Sequence, residues 1–257
     1  MASDSLTRFS DRVEDYVRYR PGYPASLLSH LQENAGLRPG CSVADVGSGT
    51  GIFTKLLLAT GAKVFAVEPN DAMRAEAEAA FLRQPGFVSV KGTSEQTGLA
   101  DRSVDLITCA QAFHWFEREA TGREFRRIAN PGAWCALIWN TGREDGAEFA
   151  RGYHDIKMKF GTDFTKVRHE NANGDPILGK FFGNDTWRKH VFDNHQVLDL
   201  SGLKGRLLSS SYAPKKGQPN HEAMFAALKD LFDRCQQNGT VRMDYHTELF
   251  LGQLSNE

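Results

Sequence analysis

Three glycines at alternate positions form the motif whose spacing most restricts the chemistry of this chain. The stretch Asp-Val-Gly-Ser-Gly-Thr-Gly, residues 45–51, follows an apolar run over 42–46 and precedes a helical pattern over 51–59. Glycine lets a backbone turn sharply and lets a ligand lie against bare main chain. The first turn of the following helix offers free N–H groups, which suit an anion such as the α-carboxylate of an amino acid. The loop is therefore predicted to bind a small ligand.

The spacing of these glycines separates the loop from two common nucleotide-binding loops. A dinucleotide fingerprint would place its third glycine at position 52, where this chain has Ile52. A phosphate loop needs a lysine followed by serine or threonine, and no such pair follows here. Asp45, two residues before the first glycine, favours a ligand with a positive centre over a pyrophosphate.

An acidic residue ends the next predicted strand. Glu68 closes the run over 63–68, 17 residues after Gly51. An acid in this position accepts two hydrogen bonds from a ribose 2′,3′-diol, as in dinucleotide-binding folds. The glycine triple followed by this acid predicts an adenosyl ligand. A generic turn with a surface glutamate is the alternative.

Strand and helix patterns alternate around these residues. Strands are predicted over 42–46, 63–68, 87–91, 104–110 and 134–139, with helices over 51–59, 72–82 and 117–129. Such alternation implies a parallel sheet with right-handed crossovers. Helices are also predicted over 5–19 and 25–34. Beyond Asn140 the patterns indicate a helix near 146–160, a strand over 187–198, an amphipathic helix over 222–237 and an alternating strand over 241–251.

Charge and composition argue against several other classes of function. Lys plus Arg number 31 and Asp plus Glu 32, so there is no basic excess and no nucleic-acid partner is expected. The four cysteines form no CxxC pair and have no nearby histidine at zinc spacing, so neither a metal site nor a disulfide framework is expected. No run approaches the roughly 20 apolar residues of a membrane-spanning helix, and the N-terminus lacks a signal-peptide core. A cytoplasmic protein without membrane contact is the expectation.

Taken together, the motifs resemble those of class I S-adenosylmethionine-dependent methyltransferases, in particular the small-molecule branch that includes trans-aconitate methyltransferases. The resemblance covers about residues 9–251 and implies an α/β, Rossmann-like, seven-stranded and mostly parallel sheet. Its last strand is antiparallel and helices cover both faces. We expect a single domain over 1–257, with an N-terminal cap over 1–40 and an insertion over 141–185 that covers the substrate site. The matching motifs lie at 19–24, 45–51, 66–70, 92–95, 103–108 and 114–116.

The resemblance implies S-adenosyl-L-methionine as the cofactor and assigns its contacts. The three loop glycines would face the methionyl part, Glu68 would hold the ribose, and Met73 would pack against the adenine. Ser94 and Glu95 would lie at the adenine edge, although the preceding Thr93 replaces an aspartate that is frequent in the family. The end of the fourth strand would approach the methionyl group. The full expected set is Tyr19, Arg20, Asp45, Gly47, Ser48, Gly49, Gly51, Glu68, Pro69, Met73, Ser94, Glu95, Ala110 and Gln111.

Residues after the fourth strand are candidates for the substrate side, because sites in open sheets lie at the carboxyl ends of strands. His114 is either a catalytic base or, with Trp115, a contact of the substrate or cofactor; packing of a His-Trp pair is the alternative. A carboxylate nucleophile needs no base, whereas an alcohol or phenol gains from one. Arg20 is a candidate partner for a carboxylate of cofactor or substrate, or else an ordinary surface arginine. The expected substrate contacts are Tyr16, His114, Trp115 and Tyr212, the last of which a helix terminus would also explain.

The predicted function is transfer of a methyl group to a small-molecule acceptor by in-line displacement in a desolvated pocket. The main alternative is a non-catalytic module that binds S-adenosylmethionine or S-adenosylhomocysteine. Such a module would often lose the aromatic residues after the fourth strand, which this chain retains. The glycine spacing disfavours a Rossmann oxidoreductase. The expected partner is the small-molecule substrate, and the chain is expected to be a monomer or a homodimer.

Overall fold

One seven-stranded sheet organises the chain. A computed structural model describes residues 17–143, 148–162, 164, 175–183 and 186–254. Within these ranges the strand order is β3-β2-β1-β4-β5-β7-β6. The strands are β1 (Ser42–Val46), β2 (Lys63–Val67), β3 (Phe87–Val90), β4 (Val104–Ala110), β5 (Ala129–Gly142), β6 (Trp187–Leu198) and β7 (Val241–Gln253).

The strand directions confirm the predicted topology. Neighbours among β1 to β5 pair in parallel. β7 pairs antiparallel with both β5 and β6, so it runs against the other strands of the described sheet. The carboxyl ends of β1, β2, β4 and β5 consequently meet along one edge, where ligands bind in open α/β sheets.

Eight helices, a helical segment over 17–19 and one short 3-10 turn complete the described structure. The turn, Phe113–Trp115, follows β4 directly. The helices are α1 (Ala25–Asn34), α2 (Ile52–Ala59), α3 (Asp71–Phe81), α4 (Arg118–Ile128), α5 (Glu148–Phe160), α6 (Asp175–Phe182), α7 (Leu200–Leu208) and α8 (His221–Cys235). Of the helix expected over 5–19, residues 1–16 lie outside the described part, and 17–19 are helical.

The sequence patterns missed α6 and α7 and placed the start of β5 too late. β5 begins at Ala129 and passes through Asn130-Pro131-Gly132, which the sequence alone indicates as a turn. α7 contains Gly202 and Gly205, two residues that disfavour a helix on intrinsic propensity. Tertiary packing requires the second of them, because a Cβ on Gly205 would overlap the ring of Tyr19.

Both faces of the sheet are covered, which explains why its parallel strands are apolar at nearly every position. Val43 and Leu106 point to one face, where they join a buried cluster with helices α1, α2 and α3. Ala44 and Ile107, their neighbours in sequence, point to the other face and pack with α4 and α6. The alternation sets the register, because a slip by one residue would exchange the two faces.

A third buried cluster lies at the β7 side of the molecule. Helices α5, α7 and α8 pack there against the first residues of β7. Met243 and Tyr245 alternate with exposed neighbours, as the sequence pattern predicts for a strand with one buried face. Tyr245 pairs in register with Gly142, the last residue of β5. The third cluster therefore reaches the same carboxyl edge as the glycine loop.

Candidate active site

The glycine loop connects β1 to α2, and its three glycines have different reasons to be glycine. Gly47, Gly49 and Gly51 have φ angles of 71°, 57° and 84°, in the left-handed region that disfavours other residues. A Cβ on Gly47 would lie 2.5 Å from the Cβ of Ala112, and one on Gly51 would lie 2.5 Å from the ring of Phe81. These two glycines are required by packing within the protein.

Gly49 differs from its two neighbours in the loop. A Cβ there would meet a single described atom within 4 Å, the sulfur of Met73 at 3.8 Å. Its missing side chain therefore leaves space on the surface of the loop. Of the three loop glycines, Gly49 is the one at which an added side chain would have room within the protein. The expected contact of all three glycines with the methionyl part stays a prediction.

Two hydroxyl groups of the same loop are buried without a hydrogen-bond partner in the described structure. They are the Oγ of Ser48 and the Oγ1 of Thr50. Buried hydroxyls are normally satisfied, so partnerless ones need an explanation. A polar molecule held against the loop supplies one, and the amino-acid part of S-adenosylmethionine carries both donors and acceptors. The loop thus fits the expected cofactor.

Glu68 connects the end of β2 to the glycine loop. Its Oε2 accepts a hydrogen bond from the Gly49 N–H at 2.9 Å, and its Oε1 accepts one from the Asn70 N–H at 2.9 Å. Burial raises the pKa of Glu68, and the bonds from Asn70 and Gly49 oppose that rise. Because an ionised carboxylate offers about four lone-pair sites, each oxygen retains acceptor capacity for a ribose hydroxyl. The hydrogen bond from the Gly49 N–H to Glu68 was not predicted from the sequence.

Asp45 lies beneath the loop. It is fully buried, and its two oxygens accept hydrogen bonds from the hydroxyls of Thr54 at 2.6 Å and Thr108 at 2.9 Å. Burial raises the pKa of Asp45 to about 6, while both threonine bonds lower it. The two oxygens thus bond within the protein and join β1 to α2 and β4, whereas the sequence motif predicted a cofactor contact for Asp45. The two threonines were missed; each is a buried hydroxyl in an otherwise apolar segment.

Met73 lies beside Gly49 because of the helix cap that precedes it. The Asn70 Oδ1 accepts hydrogen bonds from the N–H groups of Ala72 and Met73 and so caps α3, which begins three residues after Glu68. Met73 is buried, and Pro69 is half-buried between the acid and the cap. Glu68 and Met73 therefore both lie beside Gly49, while the cofactor contacts expected of Glu68, Pro69 and Met73 stay a prediction. The capping role of Asn70 was readable from its place before an Asp-Ala-Met helix start.

Ser94 and Glu95 lie in the connection that follows β3. The hydroxyl of Ser94 is buried, 3.0 Å from that of Thr121. The Oε1 of Glu95 accepts a hydrogen bond from the Glu117 N–H at 3.1 Å. Both residues thus attach this connection to α4 and the residue that caps it. No described contact of either residue distinguishes an adenine site.

Gln111 marks the end of β4 with an unusual backbone. Its φ of 58° is left-handed for a non-glycine residue, a conformation that persists only where the surroundings enforce it. Its N–H donates to the Ile138 carbonyl and its Nε2 to the Asn140 carbonyl, at 2.8 and 3.1 Å. Ala110, half-buried, precedes it at the same edge. The bond to Asn140 joins the ends of β4 and β5.

Asn140 organises this edge, although no local sequence pattern indicates it. Its Oδ1 accepts a hydrogen bond from the Thr247 hydroxyl at 2.6 Å, and its Nδ2 donates to the Gly22 carbonyl at 3.0 Å. Asn194 on β6 also donates to the Gly22 carbonyl, at 2.8 Å. Segment 17–24 is therefore held across the ends of β5, β7 and β6.

The imidazole of His114 is arranged to donate a hydrogen bond. The indole N–H of Trp139 lies 3.3 Å from its Nδ1. Because an indole nitrogen only donates, Nδ1 accepts, and in the neutral ring the hydrogen is on Nε2. In this tautomer the ring can take a proton at Nδ1 only by giving up the bond from Trp139. The Trp115 ring lies 4.8 Å from that of His114. The role of His114, as catalytic base or as substrate contact, stays a prediction.

The N-terminal candidates lie against the C-terminal part of the chain. Tyr19 packs on Gly205, and Arg20 donates from Nη2 to the Ser209 carbonyl at 2.6 Å. Their described contacts therefore join α7 rather than the glycine loop. Tyr212, half-buried, packs edge-on against Phe164 at 4.9 Å. Tyr16 lies outside the described residues.

The described residues contain neither a grouped metal site nor a membrane-spanning helix. Within ranges 17–143, 148–162, 164, 175–183 and 186–254, no three His, Cys, Asp or Glu side chains are grouped as a metal site would need. No helix in these ranges has the length and apolar character needed to span a bilayer.

The fold and the loop define a Rossmann-like methyltransferase, and comparison with known proteins agrees. Residues 44–137 match the methyltransferase domain family. An uncharacterized methyltransferase of Mycobacterium tuberculosis H37Rv is 37% identical over 209 residues, 81% of this chain and 79% of the relative. A methyltransferase-like protein of Schizosaccharomyces pombe is 28% identical over 250 residues, 95% of this chain and 94% of the relative. The chain belongs to the class I S-adenosylmethionine-dependent methyltransferases.

Solved structures share the fold. A structure from Anaeromyxobacter dehalogenans superposes with a TM-score of 0.71 at 24% identity, covering 91% of this chain and 98% of the other. A methyltransferase from Geobacter sulfurreducens, solved with S-adenosyl-L-homocysteine, superposes with a TM-score of 0.52 at 15% identity, covering 94% and 96%. The cofactor of this chain is S-adenosyl-L-methionine.

Proposed function

We propose that this methyltransferase acts on a small-molecule acceptor held over the carboxyl ends of β4, β5 and β7. The observation that carries the proposal is the enclosed edge next to the glycine loop. Gln111 and Asn140 join β4 to β5 there, and segment 17–24 crosses the ends of β5, β7 and β6. An edge covered in this way suits a small acceptor, and the net charge of −1 offers no general attraction for a nucleic-acid backbone.

The cofactor is proposed to lie along the loop, with its adenosyl part toward β2 and its methionyl part toward β4. When bound, S-adenosylmethionine supplies an electrophilic methyl group on its sulfonium. Glu68 accepts hydrogen bonds from the ribose hydroxyls, and Met73 packs against the adenine. Gly49 leaves space for the ligand, and the free hydroxyls of the loop satisfy its polar groups. Ser48, Pro69, Ser94, Glu95, Ala110 and Gln111 complete the proposed cofactor surface.

The residues on the acceptor side are proposed to orient the acceptor and exclude water. His114 donates a hydrogen bond from Nε2, and Trp115 forms a wall of the pocket. Holding the two reactants together in a dry pocket supplies much of the rate of such a displacement. An acceptor whose nucleophile is already ionised fits a site in which His114 takes no proton. The hydrogen bond from Trp139 to His114 and the sequence motifs together support the branch that resembles trans-aconitate methyltransferases.

The chain is proposed to form one domain, with residues 1–40 as a cap and 141–185 as a cover of the acceptor site. α5, which lies within 141–185, packs with α7 and α8 beside the start of β7. This packing supports a covering role for 141–185. The support for the cap is the pair of hydrogen bonds from Asn140 and Asn194 to Gly22.

Two measurements test the proposed function. S-adenosylhomocysteine should raise the melting temperature, because a ligand selective for the folded state stabilises it, and NAD should not. With methyl-labelled S-adenosylmethionine and a cell extract, label should appear in the small-molecule fraction of an ultrafiltrate. Label confined to protein or nucleic acid would contradict the small-molecule acceptor while leaving the cofactor assignment intact.

A further inference from the structure

Arg206, on α7, is a buried cation without a described counter-ion. It is 9% exposed. Its Nε donates to the Tyr245 hydroxyl at 3.4 Å and its Nη1 to the Ser210 hydroxyl at 3.1 Å. In the described part of the chain, no carboxylate pairs with it, and Nη2 makes no hydrogen bond. Burying an unpaired charge costs several kcal/mol, and arginine cannot lose its proton to avoid that cost.

Three tyrosines interact with this guanidinium, namely Tyr153 on α5, Tyr245 on β7 and Tyr212 in the connection after α7. Tyr153 on α5 is 5% exposed, and its hydroxyl is buried without a hydrogen-bond partner in the described structure. Burial raises the pKa of Tyr153, so its phenol stays protonated at neutral pH and remains a donor. Tyr212 and Tyr245 also interact electrostatically with Arg206. A buried cation and an unused O–H donor together are the features of a site for an anion.

The cluster formed by Arg206, Tyr153, Tyr212 and Tyr245 lies away from the glycine loop. Tyr245 pairs with Gly142 at the carboxyl end of β5, so the cluster shares the ligand-binding edge of the sheet. In the strand order β1-β4-β5-β7, its strand lies three places from β1, which is about 14 Å at the usual strand spacing. The cluster is therefore displaced from the cofactor loop toward the acceptor side. Arg20, bonded to the Ser209 carbonyl, brings a second cation to the same end of α7.

We propose that Arg206 and Tyr153 form a binding subsite for a carboxylate group of the methyl acceptor. The planar carboxylate would accept from Nη2 of Arg206 and from the hydroxyl of Tyr153, which balances the buried charge and satisfies the free donor. The substrate class is thus a small carboxylic acid. This inference rests on the proposed function, because it assumes an acceptor bound on that edge. The carboxylate of the cofactor has the same chemistry and is the alternative source.

Three variants and two kinds of ligand distinguish a carboxylate of the acceptor from the carboxylate of the cofactor. Arg206→Gln removes the charge, and Tyr153→Phe removes only the hydroxyl that has no described partner. Arg242→Gln is the control, since it removes an exposed arginine of β7 that pairs with Asp244. Calorimetry measures S-adenosylhomocysteine binding to each protein. With that ligand saturating, binding of succinate and benzoate is compared with binding of their neutral amides and of inorganic phosphate.

The expected result is that wild type and Arg242→Gln bind a carboxylate more tightly than its amide and than phosphate. Arg206→Gln and Tyr153→Phe should bind that carboxylate about 10- to 100-fold more weakly, the range for a hydrogen bond to a charged group. Affinity for S-adenosylhomocysteine should stay within about twofold of wild type in all variants.

Several results would overturn the proposal. A wild type that binds S-adenosylhomocysteine but prefers no carboxylate over its amide would refute the subsite and leave the proposed function standing. Weaker S-adenosylhomocysteine binding in Tyr153→Phe would assign the subsite to the cofactor. Should Arg206→Gln fail to fold, Tyr153→Phe decides alone. Normal carboxylate affinity in this variant, with unchanged or higher stability, would make the cluster purely structural.

Discussion

Replacing Gly49 with alanine separates cofactor contact from loop folding. The new Cβ would meet only the flexible sulfur of Met73, at 3.8 Å, so the protein itself has room for it. The φ of 57° costs an alanine about 1–2 kcal/mol, and the stiffer unfolded chain returns about 0.4–1 kcal/mol. The free energy of unfolding should therefore fall by only about 1 kcal/mol. If the cofactor lies against this backbone, the methyl group intrudes on it and costs about 1–3 kcal/mol of binding, or about 5- to 150-fold in Kd.

Gly51→Ala is the matched control for this experiment. Its Cβ would lie 2.5 Å from the ring of Phe81, so it should lose more stability than Gly49→Ala, while its folded fraction keeps near-normal cofactor affinity. Urea unfolding gives the stabilities, and calorimetry with S-adenosylhomocysteine gives the affinities. A folded Gly49→Ala protein with wild-type affinity would refute the reasoning, because it would show that no ligand lies against this position.

Three further predictions follow from the polar groups of the site. Glu68→Ala should weaken S-adenosylhomocysteine binding by about 1–3 kcal/mol and also lower stability, because the acceptor of the Gly49 N–H is lost; unchanged affinity in calorimetry would contradict the ribose contact. Asp45→Asn should flatten the pH dependence of unfolding. The pKa of Asp45 is raised from 3.8 to about 6, so its stabilisation is complete below 3.8 and is lost as the pH rises through 6. Between about pH 4.5 and about pH 7.5, wild type should lose about 2 kcal/mol relative to the variant in urea titrations, and parallel curves would contradict this. His114→Gln, whose amide keeps a donor, should retain methyl transfer within about tenfold, whereas a loss of about 10²–10⁴-fold in kcat would restore the role of base.

The first four strands and the centre of β5 were predictable because each is a short apolar run, whereas the start of β5 passes through a sequence typical of a turn. β7 was predictable for a different reason, since its one buried face produces strict alternation. α7 escaped detection because Gly205 obscures the helical pattern. The ring of Tyr19, which makes that glycine necessary, is 186 residues away in sequence and adjacent only in the folded chain.

The residues of the site also differ in whether local or distant parts of the chain position them. Gly49, Glu68 and Met73 were predictable because one β-α-β unit supplies all three. The bond from Gln111 to Asn140 joins separate strands, and no local pattern announces it. Arg206 is harder still, because a lone arginine in a helix usually indicates a solvent-facing position. Its burial becomes apparent only when α5, α7 and β7 are assembled.

The place of β7 between β5 and β6 has a consequence for how the chain assembles during synthesis. β6 leaves the ribosome more than 40 residues before β7, yet in the described sheet it pairs only with β7. Until β7 arrives, β6 has no partner strand, and the exposed side of β5 is an open edge. The glycine loop and β1 to β4 need nothing from that region, so they can form earlier. The strand pairing therefore allows the cofactor half of this enzyme to form early in synthesis, whereas β6, on the acceptor side, pairs only once β7 has been made.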